Sequence, residues 1–319
     1  MKKVLNKPCF DILAIGELNA DIIFTGLKGA PVLNREVAAG DFWKTMGSST
    51  ALCAANLAKL DLVVAFCGKV GGDEDGRFML EELRKRNINA GFCTVDPAAK
   101  TGVTLALNWG GDRALVTFPG VIGEFSLRDF DINILRQARH IHVGSFFLQF
   151  GLQKDLPEIF RQAQEWGIST SLDAGWDDTE KWDYGIRSVL PYTDIFFPNE
   201  SEALAITGES TWDAAAGKLA ELCTVAVVKR GKNGVGCVSR GNVYEVRAIE
   251  DAPVLDTTGA GDSFNAGFIY GYLRKFSLQE CLEYGNACGT LCVSVAGGAD
   301  ADLSLERVRE MVRYGKKFQ

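Results

Sequence analysis

The sequence predicts an α/β protein of three layers, a mostly parallel sheet with helices on both faces, joined to a small second β-sheet. Short apolar runs alternate with helical patterns along most of the 319 residues, which is the signature of strand–helix–strand units. Two stretches, Asp21–Gly47 and Thr101–Gly120, break that rhythm and read as extended strands with turns. No internal repeat or long linker divides the chain, so residues 1–319 are expected to form one domain, with the small sheet, here termed the lid, at 16–47 and 99–121; edge strands of the main sheet are the alternative for these segments.

The strands expected in the body are Phe10–Ile15, Val63–Cys67, His140–Phe146, Ser169–Asp173, Ile195–Phe197, Val225–Lys229 and Gly234–Val238. The helices are Ser49–Lys59, Gly76–Arg86, Leu152–Trp166, Ser201–Ile206, Trp212–Glu221, Asp262–Tyr272, Ser277–Val295 and Ser304–Tyr314. In the second extended stretch, Val103, Leu105 and Leu107 alternate before Gly110-Gly111, a hairpin signal. Trp109 lies in this lid and is placed to stack on a ligand, whereas Trp166, Trp176, Trp182 and Trp212 read as packing residues.

Composition narrows the function. A net charge of -7 argues against general nucleic-acid binding, so any phosphate must be held by local donors. No apolar run reaches the roughly 18 residues of a membrane span, and Lys7, Pro8 and Asp11 interrupt any signal-peptide core. Nine cysteines without a CxxC pair indicate a reducing, cytoplasmic setting. Cys288 and Cys292 read as core residues, and His140 and His142 as strand residues rather than metal ligands. There is no Gly-x4-Gly-Lys-Ser/Thr loop, no Gly-x-Gly-x-x-Gly fingerprint and no Gly-x-Ser-x-Gly elbow. The glycine-rich stretch Gly68–Gly76 has the spacing of a connecting loop.

The stretch Asp256-Thr257-Thr258-Gly259-Ala260-Gly261-Asp262 opens an amphipathic helix. Bare glycine backbone at a helix N-terminus presents N–H donors and a partial positive charge, a natural seat for phosphate. A carboxylate beside such a seat repels phosphate unless it serves a second reactant that must lose a proton. The motif therefore reads as phosphoryl transfer to a hydroxyl. Asp262 is the candidate base, and the N–H groups of Gly259, Ala260 and Gly261 form the anion hole.

This motif resembles the C-terminal signature of the ribokinase-like (PfkB) carbohydrate kinases, and the resemblance runs through nearly the whole chain. It implies an ATP- and magnesium-dependent kinase acting on a free sugar. A nucleoside kinase, a sugar-acid kinase and a non-catalytic sensor on the same fold are the alternatives. Asn199-Glu200-Ser201-Glu202 is similar to the family's Asn-x-x-Glu motif, which implies magnesium at Glu202, through water, and nucleotide phosphates near Asn199. The other reading is a helix start whose acidic residues complement the dipole. Lys229, Gly231 and Gly234 match a turn beside the triphosphate, and Asn286 matches a position lining the adenine pocket, though it could equally face solvent. Asp256 and Thr258, with Gly297-Gly298-Ala299, match a potassium site in several relatives; ordinary turn chemistry is the alternative. Asn19 and Asp21 match positions that grip sugar hydroxyls. Gly47-Ser48 stands where the family carries Gly-Gly, and Leu52 replaces an asparagine, which removes one expected sugar hydrogen bond. Ser48, Ser49 and Thr50 either compensate or only start the helix. Arg113 in the lid and Gln149 complete the candidate acceptor site. The resemblance also implies that the small sheet closes over the sugar site as a lid and that a homodimer forms through it.

Overall fold

In the computed structural model, which describes residues 8–110, 112–249, 254–295 and 300–316, the chain opens with β1 (Phe10–Ile15). Its side chains alternate, Ile12 and Ala14 entering one apolar layer and Leu13 and Ile15 the other. Two strands then leave the body, β2 (Asn19–Thr25) and β3 (Asp41–Met46), and α1 (Ser49–Lys59) returns to it. β4 (Val64–Cys67) pairs in parallel with β1. The glycine-rich stretch holds β5 (Lys69–Gly71) and leads into α2 (Glu74–Lys85), whose N-cap Asp73 accepts from the Gly76 N–H at 2.9 Å. β6 (Thr94–Asp96) pairs with β5.

The second excursion is β7 (Gly102–Trp109) and β8 (Asp112–Phe118), after which β9 (Ala138–Val143) rejoins the main sheet beside β1. Then come α3 (Phe150–Gln153), α4 (Leu156–Glu165), β10 (Ser169–Asp173), α5 (Ile186–Val189) and β11 (Ile195–Phe197). α6 (Glu200–Thr207) and α7 (Trp212–Ala220) precede β12 (Val225–Lys229). β13 (Val235–Ser239) and β14 (Asn242–Val246) turn back antiparallel, and α8 (Ala260–Leu273), α9 (Leu278–Val293) and α10 (Leu305–Gly315) complete the body.

The described strands of the body run in the order β14-β13-β12-β11-β10-β9-β1-β4, parallel from β12 to β4. One apolar layer packs this sheet on α1, α8 and α9, the other on α4 and α7. The carboxyl ends of the parallel strands therefore gather along one edge, the usual place for a ligand site in an α/β sheet. The lid is a separate sheet in the order β3-β2-β7-β8, its hairpin turning at Gly110 between Trp109 and Asp112. Gly111 lies outside the described residues.

Three expectations need correction. The helix expected over Leu152–Trp166 is broken, because Pro157 sits in the first turn of α4, where its ring and missing N–H forbid continuation from α3. The strand expected over His140–Phe146 starts at Ala138 and stops at Val143, since Ser145 is left-handed at φ 47° and Phe146–Leu148 forms a single 3₁₀ turn. Trp176 is not a packing residue: it is 56% exposed, meeting the edge of Trp182 at 5.0 Å.

Candidate active site

The motif read from sequence lies at the carboxyl edge of the sheet. Gly259 is the N-cap of α8 with φ 74°, a left-handed conformation that glycine adopts without strain. It leaves the first-turn N–H groups of α8 without intrahelical partners and sets Asp262 in that first turn. Asp262 Oδ1 accepts a hydrogen bond from Ser49 Oγ at 2.5 Å. Burial in the cleft and the nearby charge of Asp173 push the Asp262 carboxyl up to about 7, against the Ser49 bond and Lys229, which pull it down. A carboxylate balanced near neutral pH is suited to taking a proton.

Lys229, at the end of β12, reaches across to β10. Its Nζ lies 2.5 Å from Asp173 Oδ2 and 3.4 Å from Asn265 Oδ1. It is also 3.5 Å from where a Cβ on Gly261 would stand, so a buried ammonium flanks the anion hole. Burial alone would raise Asp173, but the Lys229 charge, the Lys229 hydrogen bond and the Asn265 amide outweigh it and hold the carboxyl low. Gly231 and Gly234 form the tight turn between β12 and β13.

Asn199 and Glu202 form a reciprocal capping box at the start of α6. The Asn199 side chain accepts from Glu202 N at 2.9 Å, and Glu202 Oε2 accepts from Asn199 N at 2.8 Å. The helix-start reading is thus realised in full. Glu202 is nonetheless buried, and burial with the Asp173 charge pushes it up to about 8. Asn286, at 9% exposure, is not on a solvated face; its amide donates to Arg247 O at 2.8 Å. Thr258 donates both its N–H, at 2.8 Å, and its hydroxyl, at 2.7 Å, to Asp256 Oδ1, so this turn bonds itself. Gly297, Gly298 and Ala299 lie outside the described residues, and among those described no group of three His, Cys, Asp or Glu is arranged to hold a metal.

The residues expected to hold the acceptor lie where β1 gives way to the smaller sheet. Asn19 Nδ2 donates to Asp21 Oδ1 at 2.8 Å and to Thr104 Oγ1 at 3.1 Å. Gly47 faces this pair so closely that a Cβ there would stand 1.9 Å from Asp21 Oδ1. Ser48 caps α1, donating to Glu17 O at 2.6 Å and accepting from Ala51 N at 3.1 Å, so its hydroxyl is already engaged. Gln149 is fully buried and donates to Gly144 O, leaving its Oε1 without a partner among the described residues. Arg113 pairs in register with Asn108 on the lid, and its side chain lies outside the described residues. Trp109 is at the hairpin tip.

Sequence reasoning did not single out Asp173, Asn265 or Glu17, and it gave Ser49 no part beside Asp262. Asp173 had a visible signal, a charged residue closing a strand at the ligand-bearing edge. Glu17 Oε1 accepts from Thr50 N at 3.0 Å and Oε2 from the Thr50 hydroxyl, and burial raises its carboxyl.

Comparison with known proteins fixes the family. A model described as pfkB family carbohydrate kinase matches residues 10–304. The chain belongs to that family. An uncharacterized sugar kinase of Archaeoglobus fulgidus is 30% identical over 244 residues, covering 76% of this chain and 96% of the relative. An ATP-dependent ribose-1-phosphate kinase of Halopiger xanaduensis is 28% identical, covering 91% of this chain and 94% of the relative. Among solved structures, Arabidopsis thaliana ribokinase complexed with ribose and ATP superposes with a TM-score of 0.82 at 24% identity, covering 96% and 99% of the two chains. A probable sugar kinase from Rhizobium etli gives 0.84 at 22% identity, covering 96% and 100%. The fold is therefore ribokinase-like, and the pfkB kinase is a phosphotransferase of the class that acts on sugar hydroxyls.

Proposed function

We propose that this pfkB kinase transfers the γ-phosphoryl group of ATP to a hydroxymethyl group of a neutral sugar, with Asp262 as general base. The observation that carries the reading is a half-buried carboxyl pushed up to about 7 in the first turn of α8, beside the backbone amides of Gly259, Ala260 and Gly261, of which Ala260 N–H makes only a long bond to Thr257 O at 3.3 Å. Asp262 takes the acceptor proton, the freed oxygen bonds to the γ-phosphorus, and the bond to the departing ADP oxygen breaks. The three amides and the Lys229 ammonium face the negative charge on the phosphoryl group as it moves. Asn199, Gly231, Gly234 and Asn286 border the nucleotide. Glu202 fits magnesium held through water, because both its oxygens already accept from Asn199 and, among the described residues, no cationic side chain pairs with this buried carboxyl. When bound, the ion supplies positive charge against the polyphosphate. No step is assigned to potassium at Asp256 and Thr258.

Acceptor chemistry follows from the donors and acceptors at the root of the lid. Asn19, Asp21 and Gln149 offer amides and carboxylate oxygens, which suit hydroxyls. An acceptor phosphate or carboxylate would meet Asp21 and Glu17 at close quarters. The lid is also the proposed dimer contact, and the free state of all nine cysteines agrees with a cytoplasmic protein.

Turnover with ATP across a panel of free sugars, sugar acids, sugar phosphates and nucleosides tests this. The expected result is turnover of a free sugar that Asp262→Asn abolishes while ATP affinity stays within a few-fold. ATP binding without turnover of any acceptor would refute it in favour of a sensor.

A further inference from the structure

The first turn of α1 is held between two carboxylates that are far apart in the chain. On one side Ser49 Oγ donates to Asp262 Oδ1 at 2.5 Å, a contact between residues 213 positions apart. On the other side Glu17 grips Thr50 by both its N–H and its hydroxyl, and Thr50 Oγ1 in turn accepts from Gly144 N at 3.0 Å. Ser48 is fixed independently by Glu17 O and Ala51 N. Three consecutive hydroxyls thus donate to three separate oxygens, two of them of Glu17, and Ser49 has the base.

A carboxylate is planar, and a donor on one oxygen fixes the direction of the other. Asp262 Oδ2 has no hydrogen-bond partner among the described residues, and Asp262 is only partly buried. We propose that Ser49 is a positioning residue for the base: its hydroxyl holds Oδ1 of Asp262 and leaves Oδ2 to take the acceptor proton. This inference rests on the reading of Asp262 as base and adds to it a residue on the acceptor loop. Because Ser49 directly follows Gly47-Ser48 at the root of the lid, the segment that meets the sugar also aims the base. Thr50, locked to Glu17, prevents the turn from rotating Ser49 away.

The hydroxyl also stabilises the charged form of Asp262. Its loss removes a donor that bonds the carboxylate more strongly than the neutral acid, so the proton is bound more tightly. The other groups acting on Asp262 are Asp173 from β10, Lys229 from β12, Glu17 after β1 and Glu202 of α6. Two buried thiols, Cys53 of α1 and Cys292 of α9, are both pushed up and stay neutral near pH 7. None of these is altered by removing the Ser49 hydroxyl.

The test uses the full chain as wild type, Ser49→Ala and Ser49→Thr, each with a cooperative unfolding transition as proof of fold. Carbon-13 NMR of aspartate carboxyls follows the titration of Asp262, identified by the resonance missing in Asp262→Asn. Ser49→Ala is expected to move that titration to higher pH, and Ser49→Thr to restore it. In kinetics, the acid limb of the kcat profile should move the same way, with kcat at pH 6.5 falling by about three- to tenfold, a shift of roughly half to one pH unit. The KM for ATP should stay within about twofold. An Asp262 titration in folded Ser49→Ala that matches wild type overturns the proposal, as does a Ser49→Thr protein displaced as far as the alanine variant. Absence of turnover in wild type would sink the proposed function instead, while the carboxyl titration still decides the role of Ser49.

Discussion

The ammonium of Lys229 lies 2.5 Å from Asp173 Oδ2 and shares that oxygen with the Asn265 amide, which donates to it at 2.7 Å. The pair joins the ends of β12 and β10 beside the first turn of α8. It is the one close ion pair in a cluster that also holds Glu202, Asp262 and Glu17, and the carboxyls of all three are raised. One lysine cannot neutralise four carboxyls. Asp173 takes the lysine, and the others bind protons more readily.

Replacing Lys229 with methionine leaves Asp173 buried without a counter-charge. The expected cost is about 3–5 kcal/mol of folding stability, read from urea denaturation, and much of it should return in Lys229→Met/Asp173→Asn. Turnover should not return with it, because the ammonium beside Gly261 is still missing. Recovery of both in the double variant would confine Lys229 to a structural role.

Stability of the nucleotide-free enzyme should fall as pH rises from 6.5 to 8.5. Asp262 and Glu202 sit near 7 and 8 when folded but near 3.8 and 4.5 in an open chain. A group raised on folding stabilises fully below its unfolded value, and that contribution is lost as pH climbs through the folded value. His140 and His142 are lowered to about 3 and about 4 and act in the opposite sense, a gain that fades above pH 6.5, and the buried thiols, raised from 9.0, add a loss only toward pH 8.5, so the carboxyl share is read as the difference between wild type and the two variants below. The expected loss is about 2 kcal/mol. It should shrink in Asp262→Asn and again in Glu202→Gln; a flat profile in wild type would show that these carboxyls are not raised.

Much of this site was legible because its residues are close in sequence. Gly259 and Asp262 belong to one turn, and the turn chemistry announces itself in order. The lid was legible through alternation and the Gly110-Gly111 break. Contacts between distant segments were not. Lys229 and Asp173 are 56 positions apart, and Ser49 and Asp262 213, so only the folded sheet brings them together. Local breakers also carried more weight than periodicity: Pro157 ended a helix that its apolar spacing would have continued. Trp176 shows the limit of residue type alone, since an aromatic after a strand can as well be displayed as packed.

The lid should hold two copies together. Strand register puts Phe24, Phe42, Leu105, Val116 and Phe118 on one face of the small sheet, and Phe42, Val116 and Phe118 are each more than half exposed. An apolar sheet face of this kind is rarely left in water. Phe42→Asp combined with Phe118→Asp should turn a dimer into a monomer by light scattering, with the fold intact by circular dichroism. A monomeric wild type at micromolar concentration would leave this face without the proposed partner.

The histidines make a last prediction that needs no substrate. Ser169 Oγ donates to Arg139 O at 3.3 Å, so it can only accept from His140 Nδ1, at 2.8 Å. Burial keeps His140 neutral, lowering it to about 3, so a proton on Nδ1 leaves Nε2 as a bare acceptor. Ser171 must then donate its only proton to His140 Nε2, at 2.7 Å, and accept from His142 Nδ1, at 2.8 Å. Direction passes down the chain of bonds and fixes both rings with the proton on Nδ1. His142 Nε2 is left buried without a partner among the described residues, near the Asp173–Lys229 pair. Long-range nitrogen-15 correlation spectra should therefore show two neutral Nδ1–H tautomers, and neither ring should titrate between pH 5 and 8. An Nε2–H signature at His140 would reverse the whole chain and assign the Ser169 proton to the ring instead of to Arg139 O.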